Sequence, residues 1–321
     1  MNVPEAVTKI ASSEESELDS MQALLQLREE VSNFLSSKPD IVDVTLCAIV
    51  SSGHLLLEDV PGVGKTTFIK ALARMVDLNV SRIQFTSDLL PSDVIGTEVF
   101  DTVDNNFKFH KGPIFSNLIL ADELNRASPR TQSALLEAMG EGRVSVDRSS
   151  YLLPRPFIVF ASQNPMDNVG TYEIPESQLD RFSAKISLGY PQEKHELNIF
   201  KSAASEPLNK IPSSILSSDQ LIEIQKKMDL IHISDETAMY AKKIIDATRH
   251  ADGIRLGIST RGGVMWLRMA KARAILSERN YVIPDDLKQL AIHCLSHRIL
   301  TKNGLTAKNA IREIIDNVNI I

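Results

Sequence analysis

A strand, a small-residue turn and a helix follow one another without a gap at residues 54–73, and no other stretch constrains the fold as tightly. The apolar run His54-Leu55-Leu56-Leu57-Glu58 leads into Asp59-Val60-Pro61-Gly62-Val63-Gly64-Lys65-Thr66, and Thr67-Phe68-Ile69-Lys70-Ala71-Leu72-Ala73 continues as a helix. Backbone N–H groups at such a helix start converge on an anion, and the helix dipole favours negative charge there. A Gly-Lys-Thr triplet in that setting matches a polyphosphate cradle. The expected nucleotide-binding residues are Asp59, Pro61, Gly62, Val63, Gly64, Lys65, Thr66 and Thr67. Lys65 adds a point charge for the outer phosphates, and Thr66 offers a hydroxyl to Mg²⁺. The pattern's first glycine is replaced by Asp59. A Gly/Pro turn before an ordinary helix is the bland alternative, but accident rarely sets that triplet directly behind an apolar strand.

Strand and helix patterns alternate beyond this point. Apolar runs at His54–Glu58, Arg82–Thr86, Leu118–Asp122, Phe157–Gln163 and Ala184–Gly189 suit strands buried on both faces of a parallel sheet. Helices are expected at Met21–Ser36, after Pro39, at Lys65–Val76 and at Pro129–Glu141. Two hairpins interrupt the alternation, one turning at Asp104-Asn105-Asn106 and one at Asp147-Arg148-Ser149-Ser150. After Tyr190-Pro191 the pattern is helical only, with helices expected at Glu193–Ala204, Ser218–Ile231, Asp235–His250, Thr260–Arg279 and Asp285–Ile299. The organisation is therefore an acidic, Ser-rich solvated tail over residues 1–20, a doubly wound α/β nucleotide domain over 21–190, and an all-helical domain over 191–321.

A length of 321 residues gives room for about two domains. The net charge of −6 disfavours general binding to a nucleic-acid backbone. No run is long and apolar enough for a membrane helix, and Met1–Ser20 has no signal-peptide core. Cys47 and Cys294, both in apolar helical contexts, fit a reducing cytoplasm and no disulfide framework. His293 and His297 have a spacing that can hold a metal but no matching third ligand, so they read as core and surface histidines.

Three further elements bear chemistry. Asn117-Leu118-Ile119-Leu120-Ala121-Asp122-Glu123 is an apolar strand ending in two carboxylates. Asp122 would face Mg²⁺, and Glu123 would polarise the attacking water. Phe157 to Gln163 is a strand expected between those ending at Glu58 and Asp122, and Asn164 at its tip would position that water. Asn164-Pro165 could equally end a strand and do nothing more.

These residues together resemble the MoxR group of AAA+ ATPases. The likeness covers Leu57 to Thr66, Asp88-Leu89-Leu90-Pro91-Ser92-Asp93, Gly112-Pro113-Ile114-Phe115, Ala121-Asp122-Glu123-Leu124-Asn125-Arg126-Ala127, Thr131 to Met139 and Glu176 to Phe182. It implies an αβα core with a parallel sheet and a helical C-terminal lid. It also implies a hexamer of identical subunits that binds ATP with Mg²⁺ between them. Arg181 then resembles an arginine finger that reaches the neighbour's nucleotide, with Arg126 and Arg155 as weaker candidates for contacts across that interface. Arg261, in Ser259-Thr260-Arg261, resembles a second sensor expected to touch the γ-phosphate of its own subunit. The implied role is chaperone-like remodelling of a protein client, often one carrying a von Willebrand factor A domain. The alternatives are the motor subunit of a metal-chelatase-like complex and a nucleotide-gated assembly module with little turnover.

Overall fold

The computed structural model describes residues 3–35, 38–146, 149–165, 170–190, 193, 196–197, 200, 212–302 and 304–319. In chain order, the core comprises helices α1 (Val3–Leu35) and α2 (Pro39–Val50), strand β1 (Leu55–Glu58), α3 (Lys65–Met75), β2 (Val80–Gln84) and the short α4 (Pro91–Ile95). The hairpin β3 (Gly96–Asp101) and β4 (Asn106–Lys111) comes next, followed by β5 (Leu118–Asp122) and α5 (Pro129–Glu141). A second hairpin, β6 (Arg143–Val146) and β7 (Ser149–Leu152), precedes β8 (Ile158–Gln163), α6 (Glu176–Leu179) and β9 (Ala184–Ile186).

Five strands form one parallel sheet in the order β2-β5-β8-β1-β9. The strand before Asn164 therefore lies between those ending at Glu58 and Asp122, as expected. Successive residues alternate between two apolar layers: Leu55, Leu57, Leu120 and Phe160 face one, Leu56, Ile119, Ala121 and Val159 the other. Burial on both faces is why β1, β5 and β8 read as unbroken apolar runs; β2, expected to be buried likewise, is an edge strand that exposes Val80, Arg82 and Gln84.

The lid comprises α7 (Ser218–Lys227), α8 (Asp235–His250), β10 (Ile254–Leu256), α9 (Thr260–Leu276), α10 (Pro284–Leu295), β11 (Leu300–Thr301) and α11 (Ala307–Asn317). Serine or threonine caps open four of its helices: Ser217, Ser234, Ser259 and Thr306 each accept a backbone N–H. The first apolar layer runs on into the lid through Trp266, Met269 and Leu290, so core and lid share a packed interior.

Elsewhere too the structure departs from the sequence expectation. The lid is not purely helical, because β10 and β11 pair as an antiparallel ribbon, and α11 was not anticipated. Residues 3–20 of the expected tail are instead the start of α1, since no glycine or proline interrupts the chain between Pro4 and Leu35. Ser20 is buried there, and its hydroxyl donates to Glu223 at 2.6 Å. The last strand stops at Ile186 rather than Gly189, because the N–H groups of Leu188 and Gly189 turn to the Asp59 carboxylate. The helix expected at Glu193–Ala204 lies largely outside the described residues, as do Asp147 and Arg148 of the second turn.

The two hairpins touch through aromatic rings. Phe109 on β4 stacks on Tyr151 on β7, with centroids 4.0 Å apart and planes 18° apart, and meets Phe115 edge-on at 5.6 Å. Among the described residues, no helix is long and apolar enough to cross a membrane.

Candidate nucleotide site

Strand β1 ends at Glu58, and the chain turns back on itself before α3 begins at Lys65. Gly62 and Gly64 make that turn with φ of 85° and 89°. A methyl group added at either would meet nothing within 4 Å, so glycine is required there for backbone conformation, not for space. The loop's N–H groups and the first turn of α3 open onto a cavity of about 340 Å³ lined by Pro61, Gly62, Gly64, Lys65, Thr66, Thr67, Asp122, Glu123, Ser162 and Asn164. Nine of the expected site residues thus meet in one place.

The Lys65 ammonium donates to the carbonyls of Asp59 at 2.9 Å and Val60 at 3.4 Å. Asp59 itself does not point at the cavity. Its buried carboxylate accepts from Ser187 Oγ at 2.6 Å, Leu188 N at 2.7 Å and Gly189 N at 2.9 Å. The expectation that Asp59 contacts nucleotide is corrected on this point: its side chain staples the loop to the segment after β9. Lys38 grips the same segment by donating to the carbonyls of Leu188 and Tyr190.

The carboxylates stand at the end of β5. Asp122 Oδ1 accepts from Ser162 Oγ at 2.6 Å, and Oδ2 from Arg82 at 2.7 Å. Glu123 adopts a left-handed conformation, φ 57° and ψ 48°, uncommon for a residue with a side chain. Its N–H donates to Ser162 Oγ at 3.0 Å, so one hydroxyl on β8 fixes both members of the pair. Glu123 Oε2 accepts from Gln84 Nε2 at 2.9 Å and pairs with Arg126 Nε at 3.1 Å. Arg126, a candidate for a contact between subunits, is thus paired within its own. Asn164 is buried at the mouth of β8.

Sequence reasoning missed Ser162, Arg82 and Gln84. Each is a polar residue near the carboxyl end of a strand: Gln84 pairs with Asp122 in register, Arg82 lies two residues before Gln84 on the edge strand β2, and Ser162 follows Ala161, the partner of Ala121. Glu58 completes the row: its carboxylate accepts from Gln163 and Lys185, both at 2.8 Å. Burial works against its ionisation, but the lysine and the amide outweigh it and lower the pKa.

Thr66 and Asp122 border one cavity as hard oxygen donors, a set that fits Mg²⁺ as a partner of bound phosphates.

Arg181 and Arg261 are elsewhere. Arg181 precedes β9 and α5 runs back along the sheet, so both meet at its amino end, opposite the loop. There Arg181 Nη1 donates to the carbonyl of Leu136 at 2.8 Å. A methyl group added at Gly140, near the end of α5, would lie 2.1 Å from Arg181 Nη1 and 3.7 Å from Arg261 Nη2. The two guanidinium groups therefore converge at this end, with Arg261 exposed. Arg261, expected to touch its own subunit's nucleotide, accompanies Arg181 and does not line the cavity beside Lys65. Beneath them His54 accepts from Val159 N at 3.0 Å through Nδ1 and donates through Nε2 to the Met139 carbonyl at 3.1 Å. Burial lowers its pKa to about 4, helped by the charge of Arg261 and opposed by the Met139 bond.

Four buried side-chain atoms among the described residues have no hydrogen-bond partner: Gln178 Oε1, Arg181 Nε, His297 Nδ1 and Tyr240 Oη. The first three lie on or against the loop that carries Arg181. His293 and His297 do not pair around a metal; they bond the carbonyls of Lys185 and Phe182. Cys47 and Cys294 are free and buried, and burial raises the Cys294 thiol to about 12. A roomier cleft of about 520 Å³ lies in the lid, but apolar Ala247, Ile254, Leu305 and Ile314 in its wall suit a phosphate poorly.

The comparisons with known proteins agree with this geometry. Residues 54–184 match the ATPase family associated with various cellular activities (AAA), and residues 246–318 match the AAA lid domain. YeaC of Bacillus subtilis, an uncharacterized protein, is 41% identical over 91% of this chain and 93% of its own. Chaperone MoxR1 of Mycobacterium tuberculosis is 35% identical over 90% of this chain and 78% of its own. A crystal structure from Cytophaga hutchinsonii, described as a candidate ATPase, is similar with a TM-score of 0.88 at 37% identity, covering 98% of this chain and 99% of that one. On fold, site and relatives alike, the chain belongs to the MoxR-type AAA+ ATPases.

Proposed function

We propose that this protein hydrolyses ATP, with Mg²⁺, at sites shared between neighbouring copies in a closed ring, and uses the cycle to remodel a protein client in the cytoplasm. One observation carries the shared site. Lys65, Thr66, Asp122, Glu123 and Asn164 gather at the carboxyl end of the sheet, while Arg181 and Arg261 converge at the amino end. A subunit cannot complete its own site, but a neighbour presenting its amino end can.

Within the site, the N–H groups at residues 62–67 hold the polyphosphate, and Lys65 exchanges the Asp59 and Val60 carbonyls for phosphate oxygens. Thr66 and Asp122 would hold Mg²⁺, which neutralises charge on the phosphate oxygens when bound. Glu123 orients the attacking water and takes its proton, and Asn164 fixes the water's position. Arg181 of the neighbour meets the charge that develops on the transferred phosphoryl group. Arg261 acts beside it. The client is a protein complex of the kind chaperones remodel, by analogy with MoxR1, and a von Willebrand factor A domain is the expected recognition module.

Mixed assemblies test the shared site. Arg181→Ala subunits keep an intact pocket, and Lys65→Ala subunits keep an intact finger, so mixing two inactive proteins should restore turnover. Arg261→Ala should be rescued in the same way; if it is not, Arg261 serves its own pocket. Mixed rings that form without regaining any ATPase activity would sink the shared site.

A further inference from the structure

The loop carrying Arg181 is gripped from the lid. Arg298, just beyond α10, has a side chain only 1% exposed, and its guanidinium spreads over this loop. Nε donates to Asp180 Oδ1 at 2.8 Å, Nη2 to the carbonyls of Phe182 at 2.6 Å and Asp180 at 3.3 Å, and Nη1 to that of Ser183 at 3.4 Å. The neighbouring His297 also bonds the Phe182 carbonyl, at 3.0 Å. The other Asp180 oxygen accepts from Ser259 Oγ at 2.8 Å. That same hydroxyl caps α9 by accepting from Gly262 N at 2.9 Å, and Arg261 stands in the first turn of α9. At Gly262 a methyl group would come within 2.8 Å of Arg298 Cδ and 3.1 Å of Asp180 Oδ1, so the helix start is pressed directly on the clasp.

Every carbonyl flanking Arg181 on the β9 side, and the carboxylate before it, is therefore tied to the lid. A fork of five fixed donors suits that fan of acceptors, and a lysine could not reproduce it. We infer that Arg298, through Asp180, is a positioning residue for Arg181: it locks the finger loop to the start of α9, so that Arg181 and Arg261 travel with the lid as one body into the neighbour's site. Lid movement in one subunit then sets turnover in the next. The inference rests on Arg181 acting across the interface.

The test uses full-length protein, with steady-state ATPase, ATP titration and thermal melting on Arg298→Met and Asp180→Asn. A misplaced finger should lower kcat about 10- to 100-fold with little change in KM for ATP. Turnover should return on mixing with Lys65→Ala subunits, which bring an intact clasp, and not on mixing with Arg181→Ala subunits. A merely structural lesion damages the variant's own pocket, and mixing would not repair it. Arg298→Met leaves Asp180 without its main partner; if that variant does not fold, Asp180→Asn, which keeps size and shape, decides by the same readouts. Unchanged kcat in both variants overturns the inference. So does a loss that Lys65→Ala subunits cannot rescue while they do rescue Arg181→Ala. Failure to rescue Arg181→Ala itself points instead to the shared site, and removes both.

Discussion

At the carboxyl end of the sheet, Lys65, Asp122 and Glu123 each find partners within the subunit, whereas at the amino end Arg181 Nε, Gln178 Oε1 and His297 Nδ1 are buried without one. Buried polar atoms are nearly always paired, so three unpaired atoms around one loop set the amino end apart from the pocket end. At the pocket end Lys65 and Glu123 are bonded to the subunit's own carbonyls and amides. At the arginine end the lid holds the loop, the Leu136 carbonyl holds Arg181 Nη1, and Arg261 is exposed. The contrast separates binding, which one subunit can do, from hydrolysis, which under the proposed mechanism takes two.

The sharpest way to break the contrast is Arg181→Ala. Turnover should fall about 10³-fold or more, while ATP affinity, measured by titration, holds; a matching loss of affinity would return Arg181 to its own pocket. Glu123→Gln comes next, with a loss of about 10²- to 10⁴-fold in turnover and ATP still retained on the protein. Unlike Arg181→Ala, it should spoil the pocket it belongs to, so mixing with Lys65→Ala should not restore it.

The amino end should also show in pH. The buried His54 stays neutral down to about 4 in the fold, whereas in the unfolded chain it takes up a proton near 6.5. Stability is therefore lost as pH falls between those values, by about 3 kcal/mol in all, and acidification below about 4 adds nothing more from this residue. Melting temperatures from pH 7 to pH 4 should fall along that slope, to which His293 and His297, also lowered by burial, add, and His54→Gln should make it shallower. The smallest effect is expected at Asp59. Asp59→Ala strands the N–H groups of Leu188 and Gly189 and should cost about 2 kcal/mol, read as a lower melting temperature with a raised KM for ATP. An unchanged KM would show that the staple does not shape the loop.

The pocket end was legible in the sequence because its parts are local. Gly62, Gly64, Lys65 and Thr66 are contiguous between a strand and a helix, and Asp122, Glu123 and Asn164 stand where strands stop. Of the sheet order, only the place of β8 between β1 and β5 was expected from the sequence. The amino end was not legible in the same way. Where Arg261 points depends on Asp180, Ser259 and Arg298, which are scattered over more than a hundred residues. Asp59 read as a loop residue because nothing local reveals that Leu188 and Gly189 turn back to it. The ribbon of Ile254–Leu256 with Leu300–Thr301 is too short to carry a period. Helix Ala307–Asn317 was readable from its Thr306 cap and the apolar spacing of Ala310, Ile311 and Ile314.

The stacked rings of Phe109 and Tyr151 limit what the two hairpins can do. A ring pair of this kind is worth about 1 kcal/mol beyond its buried area, enough to keep the hairpins in step at rest and far too little to hold them together under load. The joint is a friction clutch: small displacements of one hairpin pass to the other, and a hard pull makes it slip.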